Sequence, residues 1–401
     1  MLKIKNLLVP LLLLLPAILL SGCWDVEGLN TRELYTAIAI DGITDGSEGA
    51  EGTESAEGTA PGSAATGDTA SKERLRVTVQ FPLPQNILPP AAGSGSSQGP
   101  KFYTVSVNAK SVGEALNAIN DQVIGILDNS HVKLVLLHED IARGGVAQEL
   151  DFVTRVPKLP KHASLLITRQ TGEYILNQPS PKELLPSLDI YQQLQLKNSG
   201  NSLAVPVWEF VKKLDEPGQD PYLPILGYNE HNKTFELNGL AVFQHDKLAG
   251  VLDTNQTRII SMLDHRRNDS GLEIPLSGGK KVVFRVVKSG KRIIPQDQQG
   301  SKFLIKISVH GLISELSFAE PKMTKAEMEQ LQEQAASFVK KECQRTLRRI
   351  QALRADILLF GLSCRAKYGK DFSFAGWQER YSQANIDVEV DFHIDRAGAY
   401  F

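Results

Sequence analysis

Apolar and polar positions recur with different periods along the chain, and the changes of period mark its elements. The runs "LYTAIAIDG" (34–42) and "LRVTVQFPL" (75–83) have strand character, the second because Leu75, Val77, Val79 and Phe81 occupy alternate positions. Residues 44–71 between them are Gly, Ala, Ser, Thr, Pro and acids, with no basic residue and almost nothing to bury. Such a segment cannot offset its own ordering entropy and is expected as a disordered insert. A second loop, "PPAAGSGSSQGP" (89–100), precedes another alternating strand, "FYTVSVNAK" (102–110). Both loops read as long hairpin tips on one sheet.

The period then becomes helical. Ser111 with Glu114 three residues on has capping-box spacing, and Val112, Ala115, Leu116, Ile119 and Val123 fall on one helix face. "HVKLVLLHED" predicts a buried strand, "VAQELDFVTRVP" an amphipathic helix stopped by Pro157, and "ASLLITRQ" the next strand. Strand and helix alternate, as in an α/β layer that is parallel in part. Residues 171–198 predict helices broken by prolines. Beyond them, "FELNGLAVFQHDKLAGVLD" predicts a hairpin turning at His245-Asp246-Lys247, followed by a short helix around "TRIISMLDH". The runs "KVVFRVV", "KRIIPQ" and "FLIKISVHGLISEL" predict three further strands. Thr324 and Glu327 form another capping box, opening a long helical region. Its apolar stripe is Met328, Leu331, Ala335, Phe338, Cys343, Leu347, Ile350, Leu353 and Ile357. A last strand, "IDVEVDFHID", follows.

The expected fold is therefore mixed α/β (α+β) and multi-domain. An N-terminal α/β domain spans 23–175 with the insert 44–71, a middle region 176–230, and a C-terminal α+β domain 231–401 whose curved sheet packs on the long helix. The 401 residues, 42% hydrophobic and 22% charged, suit two or three globular domains. A net charge of -2 without a dense basic patch gives no argument for nucleic acid as a partner.

The start of the chain has its own pattern. Lys3 and Lys5 precede an apolar run from Leu7 to Leu20, interrupted only by Pro10 and Pro16. That run is shorter than the roughly 20 residues of a membrane span and has the length of a secretion-signal core. It ends in Leu20, Ser21, Gly22 and Cys23, the pattern of a bacterial lipobox. Residues 1–22 are read as a lipoprotein signal peptide, with Leu20, Ser21 and Gly22 recognised by the peptidase. Cys23 would be the mature N-terminus and the lipid attachment site (diacylglyceryl and N-acyl, for example palmitate). Each buried methylene contributes about 0.8 kcal/mol, so one acyl chain anchors marginally and two anchor stably. The expected location is a membrane, held through lipid. Of the other cysteines, Cys343 and Cys364 would be about 30 Å apart on one continuous helix. Buried free thiols are expected there; a disulfide needs the helix broken between them.

Candidate chemistry adds little. The eight histidines are scattered, and no pair has the i, i+4 spacing of a zinc site; His131 and His138 flank one strand. No GxSxG, phosphate-binding glycine loop or GxGxxG occurs in the strand–helix context such a site needs. Asp387, Glu389 and Asp391 alternate as on a solvated sheet face, Asp264 to Arg267 form a charged helix end, and the basic positions of "RTLRRIQALR" lie opposite the apolar stripe. No catalytic residue, metal or cofactor is assigned, and an accessory or binding role is expected over an enzyme.

Several blocks taken in order carry a family resemblance. "GCWD", "AIAIDG", "RVTVQFPLP", "SVGEALNAIN", "HVKLVLLHEDIARGGVAQELDFVTRVP" and "ASLLITRQTGEYILN" are followed by "GLAVFQHDKLAGVLDTNQTR", "ADILLFGLSCRAKYGKDF" and "IDVEVDFHIDRAG". Over nearly the whole mature chain the sequence resembles the Ger(x)C spore germination lipoproteins, the C subunits of nutrient germinant receptors. It departs from them at Gly28, where members usually carry an acidic residue, and in the length of 44–71. The resemblance implies a lipid-anchored, non-enzymatic subunit on the outer face of the spore inner membrane. It would assemble with an A subunit that has a soluble domain and membrane helices, and with a B subunit resembling amino-acid transporters. The alternative is a lipid-anchored extracellular solute-binding protein, which would need two α/β lobes around a cleft. The C-terminal half lacks the repeated strand–helix alternation of a second lobe. A cell-wall hydrolase would need a catalytic pair or zinc ligands.

One prediction follows from the insert. Closing a longer loop costs only about 0.6 kcal/mol per doubling of length. Replacing 44–71 with a short turn is expected to leave the melting temperature nearly unchanged; a large drop in a thermal scan would show that the segment is packed.

Overall fold

The computed structural model describes residues 31–43, 73–87, 99–195, 203–264, 271–276, 279–317 and 323–395. The insert expected at 44–71 lies outside them. The chain opens with β1 (Arg32–Leu34) and β2 (Ala37–Gly42), continues with β3 (Leu75–Pro82), and reaches β4 (Phe102–Ala109) after the short helix α1 (Pro84–Ile87). Strands β2, β3 and β4 pair antiparallel in succession, with Ile38 opposite Val79 and Val79 opposite Val105. Both long loops therefore connect neighbouring strands of one sheet, as the patterning implies.

After α2 (Val112–Asn120) and β5 (Ile126–Asp128) come β6 (Leu134–His138), α3 (Glu139–Gly144), α4 (Ala147–Arg155) and β7 (Ser164–Thr168). Here β2, β6 and β7 run parallel side by side. Their near-continuous apolar runs reflect burial on both faces. Ile38, Ile40, Val135, Leu137, Leu165 and Ile167 join one core. Ala37, Ala39, Leu134, Leu136 and Leu166 join a second. The second is roofed by α5 (Gly172–Asn177) and α6 (Pro186–Gln195), through Ile175, Leu176, Ile190 and Leu194. Helix α5 sits so close to β2 that a Cβ on Gly172 would lie 2.1 Å from that of Ala39. Asp41 fixes this approach by accepting the Gly172 N–H at 2.8 and 3.0 Å.

The sheet does not stop at residue 230. Strand β8 (Val205–Pro206) pairs with β7, α7 (Val207–Asp215) packs Phe210 into the first core, and β9 (Tyr222–Asn229) lies parallel to β7. The hairpin β10 (Thr234–Gln244) and β11 (Lys247–Leu252) extends it, giving the order β11-β10-β9-β7-β6-β2-β3-β4 with β8 beside β7. The hairpin turns at His245, at φ 55.

Helix α8 (Thr254–Asp264) then leads into a four-stranded sheet, β12 (Gly271–Pro275), β13 (Lys281–Pro295), β14 (Lys302–Leu316) and β15 (Asn385–Ile394). Strand β15 runs parallel to β14, which demands a long crossover. That crossover contains α9 (Lys325–Ala352), α10 (Phe360–Tyr368) and α11 (Trp377–Gln383). Leu331, Ala335, Val339, Cys343, Leu347 and Ile350 of α9 are buried in one core with Phe284, Phe303, Ile305, Val388 and Phe392 of the sheet. The long helix thus lies on the C-terminal sheet, as expected. Thr324 forms the full capping box with Glu327. At Ser111 the arrangement is displaced: Ser111 accepts the Glu114 N–H, but the Glu114 carboxylate reaches the Lys110 N–H.

Two expectations are corrected. The runs "KVVFRVV" and "KRIIPQ" form the single strand β13. The polar residues between them stay in the ladder after a register shift at Val286/Lys288, and the Ser289 hydroxyl donates to the Met262 carbonyl at 2.6 Å. The long helix ends at Ala352 and does not carry the stripe to Ile357. Arg354 takes the left-handed conformation at φ 55, Ala355 N–H donates to Ile350 O, and Arg354 N–H to Gln351 O. That is a Schellman stop with arginine in the place usually held by glycine. The break lies between Cys343 and Cys364, yet both remain free and buried.

Leu347 is 2% exposed on the face of α9 that meets the sheet. Leu347→Ala is expected to cost on the order of 2–5 kcal/mol, measured by chemical denaturation. A change below about 0.5 kcal/mol, the size typical of surface substitutions, would show that the helix does not pack there.

Candidate functional site at the junction of the two sheets

Two carboxylates 136 residues apart meet where the N-terminal sheet joins the C-terminal helices. Asp220 precedes β9, and Asp356 lies in the turn between α9 and α10; their exposures are 3% and 0%. The two residues exchange hydrogen bonds, one between backbones and one from backbone to carboxylate. Asp220 N–H donates to Asp356 O at 2.9 Å, and Asp356 N–H donates to Asp220 Oδ2 at 2.8 Å. Asp220 Oδ1 accepts the N–H of His245, at the tip of the β10–β11 hairpin. Asp356 Oδ1 accepts Phe360 N–H at 3.0 Å, while Oδ2 accepts Gly361 N–H at 2.7 Å and the Trp377 indole N–H at 3.2 Å. Phe360 and Gly361 begin α10, whose N-cap Leu359 has no capping side chain. Asp356 caps the helix in its place and puts negative charge at the positive end of the macrodipole.

Two glycines permit this closeness. A Cβ on Gly361 would lie 2.7 Å from Gly218 O, and one on Gly218, at φ +87, would lie 2.0 Å from the Phe374 ring. The surrounding cleft encloses about 230 Å³ and is bordered by Lys213, Glu216, His245, Phe374 and Gln378. Burial pushes the Asp356 carboxyl up to about 7, with the neighbouring Asp220 adding to the rise. Burial also raises Asp220. Asp356 accepts three N–H donors and has no exposed surface, so the arrangement joins segments.

A second clip crosses the junction. Asp264, at the end of α8, accepts the Tyr222 hydroxyl from β9 and pairs with Lys291 of β13 at 3.3 Å. The expected charged helix end is thus partly an anchor point between sheets.

The residues singled out in the sequence fall elsewhere. Leu20, Ser21, Gly22 and Cys23 lie outside the described residues. Asp387, Glu389 and Asp391 are exposed on β15, and Glu389 pairs with Lys306 at 2.9 Å. His131 shares a contact with Ser130, and His138 caps α3 by accepting the Asp140 N–H. Burial pushes the Cys343 and Cys364 thiols up to about 12. The parallel register also stacks His310 on His393, ring centroids 4.9 Å apart, with Asp395 and Asp391 as their partners. Among the described residues no group of three or more His, Cys, Asp or Glu is arranged to hold a metal ion. Sequence reasoning missed Asp220 and Asp356. The usable signal was a lone carboxylate inside the apolar stretch "ADILLF", four residues before a helix.

A carboxyl with a folded pKa above its unfolded value binds its proton more tightly in the folded state. Its stabilisation is full below about pH 4 and is lost as pH rises toward 7. Wild-type stability is therefore expected to fall between pH 4 and 7.5 more steeply than that of Asp356→Asn, by on the order of 2–4 kcal/mol across the range. Urea titrations at a series of pH values measure this; parallel slopes would refute it.

Comparison with known proteins places this architecture. A family profile described as the spore germination protein N-terminal domain matches residues 25–228, and one described as spore germination B3/GerAC like, C-terminal, matches 238–398. YfkR of Bacillus subtilis (strain 168), named for spore germination, is 25% identical over 97% of this chain and 96% of its own. Spore germination protein KC of the same organism is 22% identical over 98% and 97%. The crystal structure of the GerBC protein superposes with a TM-score of 0.54 at 17% identity, covering 83% of this chain and 96% of that one. It shares the mixed α/β fold.

Proposed function

We propose that this chain, which belongs to the spore germination protein family with a GerAC-like C-terminal domain, is the lipid-anchored C subunit of a nutrient germinant receptor. The observation that carries the reading is the order of parts: a leader ending in Leu20-Ser21-Gly22-Cys23, then both family domains in sequence. Leu20, Ser21 and Gly22 direct cleavage, and Cys23 receives the diacylglyceryl and N-acyl groups. In this reading lipid on Cys23 supplies the membrane attachment; no helix among the described residues is long and apolar enough to cross a membrane. The subunit sits on the outer face of the spore inner membrane beside its A and B partners.

In this reading the protein is not an enzyme. Tethering confines the chain to a thin layer above the bilayer and raises its effective concentration beside the membrane-spanning subunits, so a modest interface stays occupied. The buried junction keeps the two sheets in one fixed relation, which gives those partners a rigid surface to recognise.

Cys23→Ala is expected to leave the fold intact, because the residue precedes every strand of the sheets. The variant is expected to lose lipid, to be retained as uncleaved precursor or lost to solution, and to weaken germination through the cognate receptor. Mass spectrometry of the mature N-terminus and membrane fractionation read the outcome. A wild-type protein cleaved elsewhere with Cys23 unmodified would overturn the anchor and the location together.

A further inference from the structure

The turn between α2 and β5, together with the start of β5, carries five apolar residues in a row, Val123-Ile124-Gly125-Ile126-Leu127. Val123 and Leu127 pack against the core, whereas Ile124 is fully exposed and Ile126 is 51% exposed. Single exposed aliphatic residues are ordinary. Two of them flanking one glycine at the apex of a turn, where no other isoleucine among the described residues is exposed, form a distinct apolar tip.

The tip lies where the chain arrives from its N-terminal segment. Strand β1 pairs with β5 in parallel, Arg32 opposite Ile126. Gly125 lies directly on the incoming backbone: a Cβ there would be 3.0 Å from Thr31 O and 3.1 Å from Glu33 N. Arg32 stands nine positions after Cys23, a stretch that at about 3.3–3.6 Å per residue can span no more than about 32 Å. A lipid on Cys23 therefore keeps this tip within about 32 Å of the bilayer.

The rest of that end of the sheet, at the starts of β2, β6 and β7, suits a headgroup layer. Asn129 bonds Pro157 O and so joins the tip to the loop carrying exposed Lys158 and Lys161. Trp208 donates its backbone N–H to Lys161 O and is 51% exposed. Tryptophan and lysine settle at the membrane–water boundary, where an apolar body and a polar end are both accommodated. Asp128 is neutralised by Arg32 at 2.7 Å, and the acids bordering the tip are Asp121 at the end of α2 and Glu33, whose Cγ would lie 3.2 Å from a Cβ on Gly125.

We propose that the Ile124–Ile126 tip dips into the phospholipid bilayer beside the lipid anchor, orienting the subunit with the N-terminal ends of its parallel strands toward the membrane. This rests on the reading of Cys23 as the anchor. Two isoleucines bury too little surface to hold the protein alone, so the tip acts only once the tether has brought it to the surface.

The test attaches the tether chemically, so that natural lipidation does not enter the result. The chain from Cys23 onward is coupled through that thiol to maleimide lipid in phosphatidylcholine–phosphatidylglycerol vesicles; Cys343 and Cys364 are buried and unreactive. Amide hydrogen exchange of residues 122–128 is compared with the same protein coupled to a soluble maleimide. At least threefold slower exchange on vesicles is expected, lost in Ile124→Asp/Ile126→Asp, whose exchange elsewhere stays unchanged. Equal rates on and off vesicles would overturn the proposal and leave the tip to a protein partner. Slowing that grows with protein density at constant lipid, the mark of a second copy, would overturn it too. Mass spectrometry of natural Cys23 tests the anchor separately.

Discussion

Burial of both faces of the parallel strands β2, β6 and β7 obliges the chain to build two covering layers, and the rest of the architecture grows from that demand. One face takes α5 and α6, a self-contained roof over a small core. The other face takes α2, α4 and α7. Its core runs on without interruption through β10, β11 and α8 to α9 and the C-terminal sheet. The two sheets therefore share one apolar interior. The polar joints at Asp220–Asp356 and Asp264–Lys291 lie along the same seam, where they fix orientation more than they add stability; buried charges cost desolvation that their partners only offset.

This distribution explains which features the sequence displayed. Apolar alternation marked β3 and β4, and continuous apolar runs marked β6 and β7, because the period of burial is written residue by residue. Caps at Ser111 and Thr324 were legible because an N-cap is a local bond over three residues. The end of α9 was not, since the left-handed residue that closes its Schellman motif is Arg354, and nothing about an arginine announces a stop. The continuity of β13 was hidden for a different reason. Ser289 and Gly290 look like a turn until the Met262 carbonyl, supplied by another element, gives the serine hydroxyl its partner.

The candidate site was less legible than the fold. Asp220 and Asp356 come together only through the register of a crossover, and a single sequence holds no record of such distant pairing. The same holds for His310 and His393, neighbours solely because β15 returns parallel to β14. The proposed anchor motif, in contrast, is four adjacent residues, Leu20 to Cys23, and is therefore plain in the sequence; it lies outside the described residues.

The parallel return of β15 also bears on how the protein is made. Lys302 pairs with Asn385, and the register continues to Gly311 opposite Ile394, so β14 waits for a partner some eighty residues downstream during synthesis. Until those residues emerge, β14 offers an open edge of unpaired backbone groups, the kind of surface through which half-made chains stick to one another. Pairings so distant in sequence form slowly. The interval between synthesis of β14 and arrival of β15 is thus the vulnerable stage of biogenesis, and the exposed lysines Lys302 and Lys306 along that edge are the kind of charge that keeps a waiting strand from finding the wrong neighbour.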